Sequence, residues 1–125
     1  MKLKEYFESM KGRGILATAD AEGLVDAAVY ARPHVMDEET LAFIMLDRLT
    51  RHNLKANPHA AYLFMEEGDK YSGKRFFLTK LKEEQDAEKI NRLRRRKYPD
   101  VKEKEEYLVY FRVNKVLPLV GAGEG

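Results

Sequence analysis

Leu41-Ala-Phe-Ile-Met-Leu46, then Asp47-Arg48-Leu49-Thr50-Arg51-His52-Asn53-Leu54-Lys55-Ala56, then Asn57-Pro58, carries a strand, a turn and a helix in one line. The first six residues are a continuous apolar run of strand length, the pattern of a strand buried on both faces. Thr50 can cap a short helix that runs to about Ala56, where Asn57-Pro58 stops it. Ala60 to Met65 reads as the next strand.

Outward from that stretch the pattern stays β-rich. Upstream, Leu3, Phe7 and Met10 recur at helical spacing in residues 2–12, and Gly12 and Gly14 close that helix. Residues 15–20 read as a strand, Ala21-Glu22-Gly23 as a hairpin turn, and residues 24–36 as a second strand. Asp37 to Thr40 is a polar turn into the central run. Downstream, Glu66 to Asp69 is turn-like and Lys74 to Leu81 is a fifth strand. Residues 83–97 predict a helix: Glu83, Glu84 and Asp86 crowd its start, Arg94, Arg95, Arg96 and Lys97 its end, and Pro99 terminates it. Tyr107 to Val113 is a sixth strand, Val116 to Val120 continues it or forms a seventh, and Gly121 onward is expected to fray. Hairpin-scale connections and short helices predict a mostly antiparallel sheet of six to seven strands, closed or nearly closed as a barrel. The links between the first strands are too short for parallel βαβ winding.

Composition narrows the function classes. The 125 residues make a single domain. Charge is plentiful but balanced, 23 Lys and Arg against 21 Asp and Glu, which argues against a nucleic-acid-coating polycation. No cysteine is present, so disulfides, thiolate nucleophiles and Cys-ligated zinc are excluded. No apolar run is long enough to span a membrane, and the charged N-terminus lacks a signal-peptide core. A cytoplasmic protein with neither membrane nor nucleic-acid partner is the expectation.

The sharpest candidate for chemistry is the segment Asp47 to Lys55. A helix starting near Thr50 offers unpaired N–H groups and a positive dipole end, beside a hydroxyl, a guanidinium and an imidazole. Arg51 and Lys55 lie four apart and share a helical face. Such an end can hold a phosphate without a glycine-rich loop. A capped helix with solvated basic residues reads the same letters more plainly. The second candidate is Tyr30-Ala31-Arg32-Pro33-His34. Pro33 marks an edge, a bulge or a strand end, and Arg32 and His34 form either an exposed lip for a ligand or an ordinary solvent face. His34, His52 and His59 are scattered and make a poor metal set. The run Arg92 to Lys97 reads as a solvated helix end rather than a nucleic-acid site. Phe76-Phe77, Tyr107, Tyr110 and Phe111 place aromatics on both faces of their strands. Either core packing or a second subunit covers them.

The order of segments resembles one known family. Val29-Tyr-Ala-Arg-Pro-His-Val35, the stretch from Leu41 to Phe64 and the ending Phe111-Arg-Val-Asn-Lys-Val-Leu-Pro-Leu-Val-Gly121 are similar to the pyridoxamine 5′-phosphate oxidase-like, FMN-binding split barrels. Those proteins carry a strand, then Ser/Thr-Arg-Lys or a variant, then a helix ending in Asn-Pro, then a strand. The resemblance implies an FMN-dependent homodimer, with flavins at the subunit interface, acting in electron or hydride transfer. By position it implies that Thr50, Arg51 and His52 hold the FMN phosphate. Val29, Tyr30, Ala31 and Arg32 would line the flavin, and Met45 and Leu46 would contact its ring or ribityl chain. His52 stands where the family often has Lys, which makes the grip more pH-sensitive. The C-terminal substrate-binding residues of the oxidase itself are not found, so vitamin B6 oxidation is not implied. Relatives of this fold that bind haem or a deazaflavin leave a carrier or stress-response module as the alternative.

Overall fold

The structure is a computed structural model and describes residues 1–94 and 105–121. Among the described residues, three short helices and seven strands follow in the order α1 (Leu3–Ser9), β1 (Gly12–Ala19), β2 (Val25–Tyr30), β3 (His34–Asp37), β4 (Thr40–Leu46), α2 (Leu49–Ala56), β5 (His59–Glu66), β6 (Gly73–Glu84), α3 (Ala87–Leu93) and β7 (Glu106–Pro118). All seven strands join one antiparallel sheet in the order β2-β1-β5-β6-β7-β4-β3. The two end strands, β2 and β3, are consecutive in the chain. The sheet therefore curls until its ends face each other, and side chains rather than a ladder close it. Tyr30 of β2 meets Phe43 of β4 edge to face at 5.7 Å, and Phe43 meets Tyr62 of β5 at 4.9 Å. This is the expected split barrel.

Alternation builds the interior. Leu16, Leu41, Phe43, Met45, Tyr62, Phe64, Phe76, Leu78, Val109 and Phe111 point inward and are almost wholly buried. Phe7 of α1 and Leu54 of α2 join them. The opposite face of β4 and β7 is covered as well: Ala42, Leu108 and Tyr110 lie under Ile90 of α3. That double cover explains why residues 41–46 are apolar without alternation. Among the described residues no helix is long and apolar enough to cross a membrane.

Several boundaries differ from the sequence reading, each for a physical reason. The predicted second strand breaks into β2 and β3 at Ala31-Arg32-Pro33, where the ring of Pro33 removes a ladder donor. Gly12 and Gly14 belong to β1 and do not close α1, which ends at Ser9. The fifth strand runs on through Glu84, because Glu83 and Glu84 pair with Val109 and Leu108 of β7. Ladder pairing overrides the dipole pattern there, and the helix is only Ala87–Leu93, capped by Asp86 accepting from the Lys89 N–H at 3.1 Å. Arg95, Arg96, Lys97 and Pro99 lie outside the described residues, as do residues 122–125. Of the two readings of Val116 to Val120, continuation holds: the sixth strand and this segment form one continuous β7, which runs to Pro118 with shifts in its register against β6.

Candidate functional site

The split in the barrel is where backbone remains open. β3 pairs with β4 only from Thr40 to Ala42, so from Phe43 onward the β4 edge away from β7 has no strand neighbour among the described residues. β2 likewise pairs on one side only, with β1. Between these edges the chain turns through Ala31-Arg32-Pro33. A cavity of about 940 Å³ opens there, with Arg13, Tyr30, Arg32, His34 and Phe43 among its walls.

One buried hydroxyl shapes that turn. The Tyr62 ring, wholly buried, aims its Oη across β1, and the hydroxyl meets the carbonyls of Tyr30 and Ala31 at 3.0 Å each. It reaches them over Gly14. A Cβ at residue 14 would lie 2.5 Å from Tyr62 Cε1 and closer still to Cζ and Oη, so only glycine leaves the ring its path. From the outside, Arg32 donates to the carbonyls of Phe7 (2.7 Å) and Met10 (3.2 Å), tying the turn to the end of α1.

α2 begins beside the same split. Its N-cap is Arg48, not Thr50, and no side chain caps it. Thr50 sits in the first turn, buried, near the Tyr30 hydroxyl. Burial raises the Tyr30 phenol above its ordinary value, and the neighbouring Thr50 hydroxyl and Arg48 charge partly offset this. Thus Tyr30 lies between the cavity and the start of α2.

Arg51 is the most enclosed cation here, with its side chain only 9% exposed. Its Nε and Nη2 donate to Glu83 Oε2 at 3.2 and 2.5 Å, its Nη1 to Asp47 Oδ1 at 2.8 Å, and its guanidinium lies 3.5 Å over the Tyr107 ring. The bond to Glu83 raises its pKa further, so it is charged at every accessible pH. Burial pushes the Glu83 carboxyl up, but the bonds from Arg51 and from Lys80 (3.0 Å) outweigh it and hold the carboxyl below the usual range. His52 is largely exposed, with Nε2 3.2 Å from the same Asp47 oxygen that Arg51 holds. Lys55 is exposed and does not share the environment of Arg51.

The candidate residues therefore fall into connected groups. Tyr30, Ala31 and Arg32 line the cavity, with His34 beside them. Thr50, Arg51 and His52 cluster at the start of α2, joined to the cavity through Tyr30. Leu46 is half-buried at the end of β4, on the open edge. Val29 points the other way and is 81% exposed. The Met45 side chain is sealed in the barrel, so only its backbone lies on the open edge. The sequence reading missed Asp47, Glu83 and Tyr107 as partners of Arg51, and Tyr62 and Gly14 as the support of the turn. Asp47 and Arg51 stand four apart on adjoining turn and helix, a spacing that signals a pair. No local signal links Arg51 to Glu83.

No protein-family model and no curated protein sequence matches the chain. Solved structures do. An FMN-binding protein from Syntrophomonas wolfei subsp. wolfei superposes with a TM-score of 0.78 at 18% identity, over 96% of this chain and 85% of that one. An F420 reductase gives 0.65 at 20% identity, over 90% and 94%. A putative pyridoxamine 5′-phosphate oxidase from Lactobacillus delbrueckii gives 0.65 at 19% identity, over 90% and 88%. At these identities the likeness is one of fold, and the chain has the split-barrel fold of the pyridoxamine 5′-phosphate oxidase-like proteins.

Proposed function

We propose that this protein is an FMN-binding flavoprotein, dimeric, that takes part in electron or hydride transfer. The observation that carries the reading is the uncapped start of α2, set with Thr50, Arg51 and His52 and placed against the open β4 edge of the split. Free N–H groups at a helix start and a guanidinium fixed beside them suit a terminal phosphate. The open backbone of Phe43 to Leu46 suits the polar edge of a planar heterocycle, and the turn Tyr30 to Arg32 suits its flank. The residues present thus fit FMN. The likeness to an FMN-binding protein supports that choice. The F420 reductase supports the related reading, a deazaflavin in the same seat.

Bound FMN would supply the redox chemistry, and the chain supplies position, exclusion of water and charge. Thr50 and Arg51 hold the anionic end. Tyr62 and Arg32 fix the turn from inside and outside, so the flank does not yield. Arg32 and His34 place cationic or donor groups on the cavity wall, where they stabilise added negative charge.

A second copy of the chain completes the site in this reading. Val25 and Val29 are 82% and 81% exposed, and with exposed Ala27 they form one apolar face of edge strand β2. Leu49, at the start of α2, is also exposed, at 58%. An apolar strip of this kind beside a half-open site suits a symmetric contact.

Comparing FMN with riboflavin tests the phosphate assignment. Arg51→Lys keeps a cation against Glu83 but loses the planar fork. It is expected to weaken FMN about tenfold while leaving riboflavin unchanged. Equal weakening of both flavins refutes the assignment.

A further inference from the structure

The seat proposed for a phosphate already holds an anion. Oδ1 of Asp47 accepts from Arg51 Nη1 at 2.8 Å and stands 3.2 Å from His52 Nε2. Asp47 is the residue before the Arg48 cap, so its charge also lies at the positive end of α2. One carboxylate oxygen thus engages both side chains that an incoming phosphate would use.

The two carboxylates on Arg51 are unequal. Glu83 takes the Nε and Nη2 side, is itself held by Lys80, and its side chain is 23% exposed. Tyr107 supports the guanidinium from its face. Asp47 takes only Nη1, and its side chain is 46% exposed. Water can solvate a displaced Asp47 at little cost, whereas a displaced Glu83 would leave a buried cation half-satisfied.

We infer that Asp47 is a built-in competitor for the ligand's terminal phosphate, vacating Arg51 and His52 when that phosphate arrives, while Glu83 and Tyr107 keep Arg51 in place. The inference rests on the flavin reading above and adds a residue that sets affinity. A dianion can replace one carboxylate on two donors, and a neutral ligand end cannot. Asp47 therefore lowers the affinity for the phosphorylated form of the heterocycle and leaves the unphosphorylated form unaffected. It also keeps the cationic seat neutralised when empty.

The test is a fluorescence titration of FMN and of riboflavin into four proteins at fixed ionic strength: the parent, Asp47→Asn, Asp47→Ala and Glu83→Gln. Both Asp47 variants are expected to bind FMN about fivefold more tightly, the scale of one partly exposed ion pair, with riboflavin unchanged. Alanine guards against the new asparagine amide itself binding phosphate. Glu83→Gln is expected to shift FMN the opposite way, because Arg51 loses its anchor. Unchanged or weaker FMN binding in both Asp47 variants overturns the inference, since Asp47 would then position Arg51 rather than compete for it. Equal shifts for both flavins overturn it too. If the parent shows no preference for FMN over riboflavin, the phosphate reading itself fails and the inference goes with it.

Discussion

Replacing Gly14 with alanine is expected to be among the costlier single-methyl additions in this protein. The new Cβ would stand 2.5 Å from Tyr62 Cε1 and nearer to Cζ and Oη, well inside contact distance. The tip of a tyrosine usually swings aside, but this ring is wholly buried between Phe43, at 4.9 Å, and Phe64, at 6.2 Å. The ring must therefore shift and carry the core with it, an overpacking cost of about 2 kcal/mol. Moving Oη also loosens its bonds to the carbonyls of Tyr30 and Ala31, adding about 1 kcal/mol. A total near 3 kcal/mol lowers the Tm by roughly 12 °C in a domain of this size. Urea unfolding followed by circular dichroism measures it. Tyr62→Phe alone should cost about 1 kcal/mol and should not rescue Gly14→Ala, because the ring carbons remain in the way. Tyr62→Leu should rescue it, leaving a residual penalty below about 0.5 kcal/mol. A Gly14→Ala protein within about 0.5 kcal/mol of the parent would refute the steric argument.

Two further outcomes follow from the charges and the apolar strip. The Glu83 carboxyl titrates below its unfolded value near 4.3, so its contribution is complete above that pH and is lost as pH falls through the depressed folded value. Glu83→Gln should cost about 2 kcal/mol at pH 7 and should flatten the loss of stability below pH 4 in acid titrations, whereas an unaltered acid limb would contradict the pairing. Val25→Asp with Val29→Asp places two charges on the exposed face of β2, and sedimentation is expected to find a dimer for the parent and a monomer for this variant. A parent that sediments as a monomer at every concentration contradicts the proposed contact.

The barrel was legible in the sequence because its evidence is local. Leu41 to Leu46 lacks alternation since α3 covers its outer face, and Pro33 breaks a strand through its own ring. The helix read over 83–97 shows where locality ends. Acids at Glu83 and Glu84 mimic a helix start, but their backbone is claimed by Val109 and Leu108, far along the chain. The same distance hid the partners of Arg51. Its helix, its exposed neighbour His52 and the basic residues around them can be read from consecutive residues. Its burial against Glu83 and Tyr107 depends on residues that β6 and β7 bring to it from far along the chain. Gly14 was misread as a helix end for a related reason: the ring that needs its missing side chain comes from another strand.

The account stands most directly on whether the protein binds FMN at all. Titrating FMN with the purified protein and recording the visible absorption and fluorescence gives the answer. The account predicts perturbed flavin bands that saturate at one FMN per protomer, with riboflavin binding more weakly. An FMN spectrum that the protein leaves unchanged would contradict it.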